Sequence, residues 1–124
     1  MTEPKSSLEV TDAESAAVAV APRVTLASME AKIAEKHEFT MGEALMGLEV
    51  PHDMMAFGIL SVCVLKMQNG FTVIGKAAPA SAANFNRELG RKFAYEDAIR
   101  HIWPLVGNGL RVALAVQEAQ LRVG

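Results

Sequence analysis

Cysteine is almost missing from this chain. Cys63 stands alone, so no intrachain disulfide can frame the fold, and a disulfide scaffold is excluded. Long hydrophobic runs are missing too: nothing approaches the roughly 18 apolar residues of a membrane span. The apolar stretch from Ala16 to Ala21 is short and follows Glu3, Glu9, Asp12 and Glu14. A secretory leader starts basic, so none is read here, and a soluble, cytoplasmic protein is expected. Metal ligands are sparse. His37, His52, His101 and Cys63 do not form a four-ligand set at the close spacing of structural zinc. Disorder over the whole length is excluded in turn, because 51% of the 124 residues are hydrophobic. That length suits one domain with a core of its own.

No large charge surplus exists either, since the net charge is −2. Neutralising many phosphates needs many lysines and arginines, so broad DNA binding is not expected. The balance nevertheless hides an asymmetry. Residues 1–65 carry four basic and ten acidic side chains, whereas residues 66–124 carry eight basic and four acidic. An anionic partner is therefore to be sought in the second half.

Residues 1–22 are rich in Ser, Ala, Thr and acids and read as a flexible tail, leaving 23–124 as a single domain. Thr25 can cap a short helix whose apolar face carries Leu26, Met29 and Ile33, running to about Lys36. Phe39 and Thr40 fit a strand, and residues 41–55 fit a loop or a short helix. The run from Gly58 to Met67 is continuous, apolar and β-branched, as in a strand buried on both faces. Asn69-Gly70 then predicts a type I′ hairpin turn, with Phe71-Thr-Val-Ile returning. A hairpin over roughly 57–77 follows. Beyond Pro79 the period becomes helical, with Ser81 as the cap and an apolar band through Phe85, Leu89, Phe93, Ile99, Ile102 and Trp103. Pro104 is expected to end or kink that helix, and Gly107 and Gly109 to join it to a last one. The predicted class is α+β: a small antiparallel sheet with a central hairpin, a short N-terminal helix and two C-terminal helices.

Gly70-Phe-Thr-Val-Ile-Gly-Lys76-Ala77 nearly spells a phosphate loop. Its middle residues are strand formers, Ala77 has no hydroxyl, and Pro79 stands where the helix should start. It reads as a hairpin strand. Cys63 lies inside an apolar run, where a thiol behaves as a small hydrophobe rather than a nucleophile. With no nucleophile, metal set or acid–base pair legible, an enzyme is not expected, and no cofactor is implied. One pattern stands out. Asn84, Arg87, Arg91 and Tyr95 fall at i, i+3, i+7 and i+11, one stripe of a helix. Such arginines are ordinarily a solvated surface, but guanidinium forks also grip phosphate oxygens. Lys76 could add charge and Phe71 a flat face for a base, although an aromatic in a strand more often packs inward.

The same residues carry a family likeness. Asn69-Gly-Phe-Thr-Val-Ile-Gly-Lys76, Asn84-Phe85, Leu89-Gly-Arg-Lys-Phe-Ala-Tyr-Glu-Asp-Ala98 and Ile102-Trp-Pro-Leu105 resemble a family of small tailed-phage proteins that includes the first Thoeris anti-defence family. The resemblance implies a sponge that binds, without cleaving, the cyclic ADP-ribose signal of bacterial TIR-domain proteins in the cytoplasm of the infected host. It implies pairing through the strand and long-helix region, hexamers built from dimers, and cyclic oligonucleotides as further ligands. The ligand-binding candidates are then Phe71, Lys76, Asn84, Arg87, Arg91 and Arg100. The chain departs from the family pattern at Ala77-Ala-Pro-Ala-Ser-Ala82 and at Leu105-Val-Gly-Asn108. A phage structural or interaction protein with no nucleotide ligand is the alternative, and no DNA or membrane partner is expected under either reading.

Overall fold

The computed structural model describes residues 7–18 and 22–123. They fall into two compact units, residues 1–32 with 103–124, and residues 33–102. The first unit opens with α1 (Ser7–Val18) and α2 (Leu26–Glu30), which pack against each other. Helix α1 lies within the stretch expected as a tail; the rest of that stretch, residues 1–6 and 19–21, is outside the described residues. Asp12 ties α1 to the start of α2. Its carboxylate accepts from Arg23 at 2.7 Å and from the Leu26 amide at 3.1 Å. The Arg23 hydrogen bond, then that amide, hold the Asp12 carboxyl below its usual range. Thr25 caps α2 as expected, accepting from the Ser28 amide while Ser28 Oγ accepts from Thr25.

Helix α2 stops at Glu30 rather than Lys36, because Ile33 already begins a strand. Strand β1 (Ile33–Thr40) pairs antiparallel with β2 (Ser61–Met67), and β2 with β3 (Thr72–Ala77), in the order β1-β2-β3. Pairing with a central apolar strand overrides the weak helical period of residues 33–36. Between β1 and β2 lie two short helices, α3 (Met41–Gly47) and α4 (Met54–Gly58). Thr40 and Glu43 form a capping box for α3, and Asp53 caps α4. Gly42 lets the two helices approach: a Cβ there would sit 3.2 Å from the Gly58 backbone.

The hairpin is present, with a different turn. Within the turn only Gly70 has positive φ, at 89°, and its amide donates to Met67 O at 2.9 Å while the Met67 amide donates to Phe71 O. A three-residue loop of this kind is a type I turn closed by a glycine bulge, not a type I′ turn. The motif resembling a phosphate loop is strand β3.

Helix α5 (Arg87–Val123) runs unbroken through Pro104, so one C-terminal helix stands where two were expected. A single interior proline removes one donor. Good helix formers beyond it, among them Leu110, Arg111, Ala113, Leu114 and Ala115, carry propagation past it. Asn86 caps α5, its Oδ1 accepting from the Leu89 amide, whereas Ser81 caps only the short 3-10 turn Ala82–Asn84.

The contact of α5 with the sheet is unusually close. A Cβ on Gly75 would lie 2.1 Å from Ala94 O and 2.3 Å from the Ala98 amide nitrogen, and one on Gly90 would lie 2.2 Å from Ser61 Oγ. Only small residues fit such a seam, so Gly90, Ala94 and Ala98 face the sheet. The larger Leu89 and Phe93 of the expected apolar band stay 48% and 51% exposed. Ile99 and Ile102 of that band are buried, together with Cys63, Leu65 and Met67.

Candidate functional site

Asn84 belongs to the 3-10 turn and not to the helix, so the expected stripe begins only at Arg87. Arg87 is the first residue of α5, and its guanidinium meets both oxygens of Glu43 on α3, at 3.0 and 3.1 Å. Hydrogen bonding from Arg87, chiefly, holds the Glu43 carboxyl below its usual range. Glu43 was missed in the sequence, although Thr40-x-x-Glu43 spells a capping box whose acid would lie at a helix start. Arg91, one turn further, is half-buried, and its side chain forms no hydrogen bond or ion pair with a described residue. The two arginines share the side of α5 that faces α3.

Asn84 lies elsewhere. With Ala77, Pro79, Phe85, Leu89 and Phe93 it lines an open groove of about 210 Å³ between α5 and the loop after β3. Lys76 is exposed, and its neighbour Gly75 faces α5, so strand alternation turns the Lys76 side chain to the other sheet face. Its amide donates to Asp97 Oδ2 at 3.0 Å, and His101 meets the same oxygen at 3.3 Å. Phe71 is 47% exposed at the hairpin tip, six residues or about 20 Å along the strand from Ala77. Arg100 lies beside Glu96 at 3.4 Å, about 20 Å along the helix from Arg87. Within one chain, then, Arg87 and Arg91 come together, Asn84 joins an apolar groove, and Phe71, Lys76 and Arg100 stand apart.

Among the described residues no three His, Cys, Asp or Glu cluster as metal ligands. Cys63 is fully buried, and burial, then the neighbouring Glu38 carboxylate, pushes its thiol up to about 11. A thiol so held is protonated at neutral pH and is a poor nucleophile. No helix of the described residues is long and apolar enough to cross a membrane.

Fold and surface together define a small α+β protein with a three-stranded antiparallel sheet, offering guanidinium groups on one side of its long helix and aromatic and amide groups on the other. Residues 24–114 match the phage protein (N4 Gp49/phage Sf6 gene 66) family, and the chain belongs to that family. Comparison with curated proteins and with solved structures returns no match.

Proposed function

We propose that this phage-family protein is a sponge: it binds a cyclic ADP-ribose-type immune signal made by TIR-domain proteins and holds it uncleaved. The observation that carries the reading is Arg91, a half-buried guanidinium with no carboxylate partner among the described residues, one turn from Arg87. A fork of this kind binds phosphate oxygens in bidentate fashion. On the other side of α5, Phe85, Phe93 and Asn84 supply faces and amides suited to a base, which a neighbouring copy's arginines would have to meet. The groove, at about 210 Å³, is smaller than the roughly 300–1,000 Å³ of pockets that enclose a ligand of drug size. The proposed site is therefore completed between copies, in a dimer that builds to a hexamer, with cyclic oligonucleotides as further ligands.

Blocking a signal by capture requires affinity near nanomolar, about −12 kcal/mol. The test is heat release. Protein is mixed with the cyclic signal, small molecules are removed, and the protein is then denatured. Stoichiometric recovery of intact signal supports the sponge. A linearised product that accumulates with time would make the protein an enzyme, and no depletion of the signal would leave the structural or interaction role.

A further inference from the structure

Charged side chains meet α5 along β1 as well as at α3. Strand alternation puts Lys36, Glu38 and Thr40 on one face of β1, opposite the buried Leu65, Cys63 and Ser61. The Lys36 ammonium lies 5.1 Å from the centre of the Tyr95 ring, so this is the face that α5 covers. On α5, Arg87, Arg91 and Tyr95 recur every four residues along one side of the helix. The two rows run in opposite directions and match in length. Thr40 to Lys36 spans about 13 Å of strand, and Arg87 to Tyr95 about 12 Å of helix. Arg87 sits on the Thr40–Glu43 capping box at one end, and Tyr95 meets Lys36 at the other. The middle members, Glu38 and Arg91, therefore stand level.

They are nevertheless not paired. Glu38 is taken by Lys36 at 3.1 Å, and Glu43 is taken by Arg87 through both oxygens. Glu88, three residues before Arg91, is exposed and forms an ion pair with neither arginine. The row thus carries three cations, Arg87, Arg91 and Lys36, against two carboxylates, and the unmatched cation is the central, half-buried one. A guanidinium withdrawn from water without a counter-ion is costly, and an incoming anion would offset that cost. Tyr95 holds the Lys36 ammonium toward the helix through its ring face.

We infer that this channel between β1 and α5 seats a diphosphate group, held by Arg91 and Lys36 together, with Glu38 as the internal carboxylate that competes with it. Arg91 and Tyr95 are one helical turn apart, with Cβ atoms about 5–6 Å from each other. The guanidinium and the ammonium over Tyr95 are thereby spaced to grip two adjacent phosphoryl groups of one ligand. Lys36 joins the site as a ligand-binding residue, and Tyr95 is the residue that positions it. Glu38 sets the threshold for entry: an anion must outcompete that carboxylate for Lys36, which favours the double charge of a diphosphate. The inference rests on the reading of Arg91 as the anion contact and names the part of the ligand that it holds.

The experiment is titration calorimetry of the full chain with cyclic ADP-ribose and with inorganic pyrophosphate. Lys36→Met and Arg91→Ala should each weaken both probes by about tenfold or more, the worth of a charge-assisted contact. Lys36→Arg should keep most of the affinity. Glu38→Gln should act in the opposite direction and tighten both by about two- to fivefold. Glu35→Gln and Lys66→Ala make the same charge changes on the other face of the sheet, and should stay within about twofold of wild type. Circular dichroism confirms that each variant is folded. Pyrophosphate binding without cyclic ADP-ribose binding would bear out the seat and sink the sponge. Cyclic ADP-ribose binding that Lys36→Met leaves unchanged would overturn the inference and spare the sponge. An equal gain from Glu35→Gln would also overturn it, and binding of neither probe would overturn both.

Discussion

Adding a single methyl group at Gly75 should unseat the long helix. The Cβ of Gly75→Ala would lie 2.1 Å from Ala94 O, 2.3 Å from the Ala98 amide nitrogen and 2.8 Å from Ala98 Cβ. Real carbon contacts are more than 1 Å longer than the first of these, near 3.5 Å or beyond. Two of the three obstacles are helix backbone, which cannot rotate aside, so α5 as a whole must lift from β3. Overpacking in a core typically costs about 1–3 kcal/mol. Rigid obstacles place this variant at the top of that range, about 3 kcal/mol, or roughly 10–20 °C in Tm for a chain of this size. Thermal and urea denaturation followed by circular dichroism would measure it. Gly109→Ala is the matched control: nothing lies within 4 Å of its new Cβ. In a helix interior the same substitution should stabilise by about 0.5–1 kcal/mol. Ala98→Gly should fail to rescue Gly75→Ala, because the nearest clash is with the Ala94 carbonyl. A Gly75→Ala protein within about 0.5 kcal/mol of wild type would refute the close helix–sheet seam.

Three other outcomes follow from particular groups. Cys63 is buried with its thiol pushed up to about 11, against an ordinary 9.0. The unfolded thiol therefore ionises first, and stability present below pH 9 should fall by about 2–3 kcal/mol as pH rises to 11. Measured against Cys63→Ala, a pH profile of identical slope across that window would contradict it. Glu43, lowered by Arg87, contributes stability above its unfolded value that is lost as pH falls through its folded one, below 4.5. Both side chains are about half exposed, so Arg87→Ala should cost under about 1 kcal/mol at pH 7 and progressively less as the pH falls below 4.5, read by urea midpoints. Arg91→Ala should leave folding unchanged and weaken the cyclic signal by roughly 10- to 150-fold in titration calorimetry, the worth of one charge-assisted contact. Unaltered affinity would remove Arg91 from the site.

The local grammar of the chain was legible in its residues. Thr25 caps a helix, Asn69-Gly70 turns a hairpin, the run ending at Met67 is the central strand, and the period after Pro79 is helical. Each of these rests on interactions within a few residues, which is where sequence speaks directly. The α+β class follows from them. What the residues could not declare was distance across the fold. Ile33 to Lys36 fit a helix until a partner strand was available, and Pro104 looked like a terminus until the helix formers on both sides outweighed one missing donor. Leu89 and Phe93 looked like core because they are large. The core side of α5 instead belongs to Gly90, Ala94 and Ala98, since Gly75 and Ser61 bring the sheet too near for anything bigger. The same long-range placement divided the candidate site. Arg87 met Glu43, forty-four residues away in the chain, while Lys76 turned to the opposite sheet face and Phe71 went to the far end of the hairpin. Sequence fixes which groups exist and how each short segment folds; only packing, where backbones approach and charges meet across long loops, decides which of those groups share a surface.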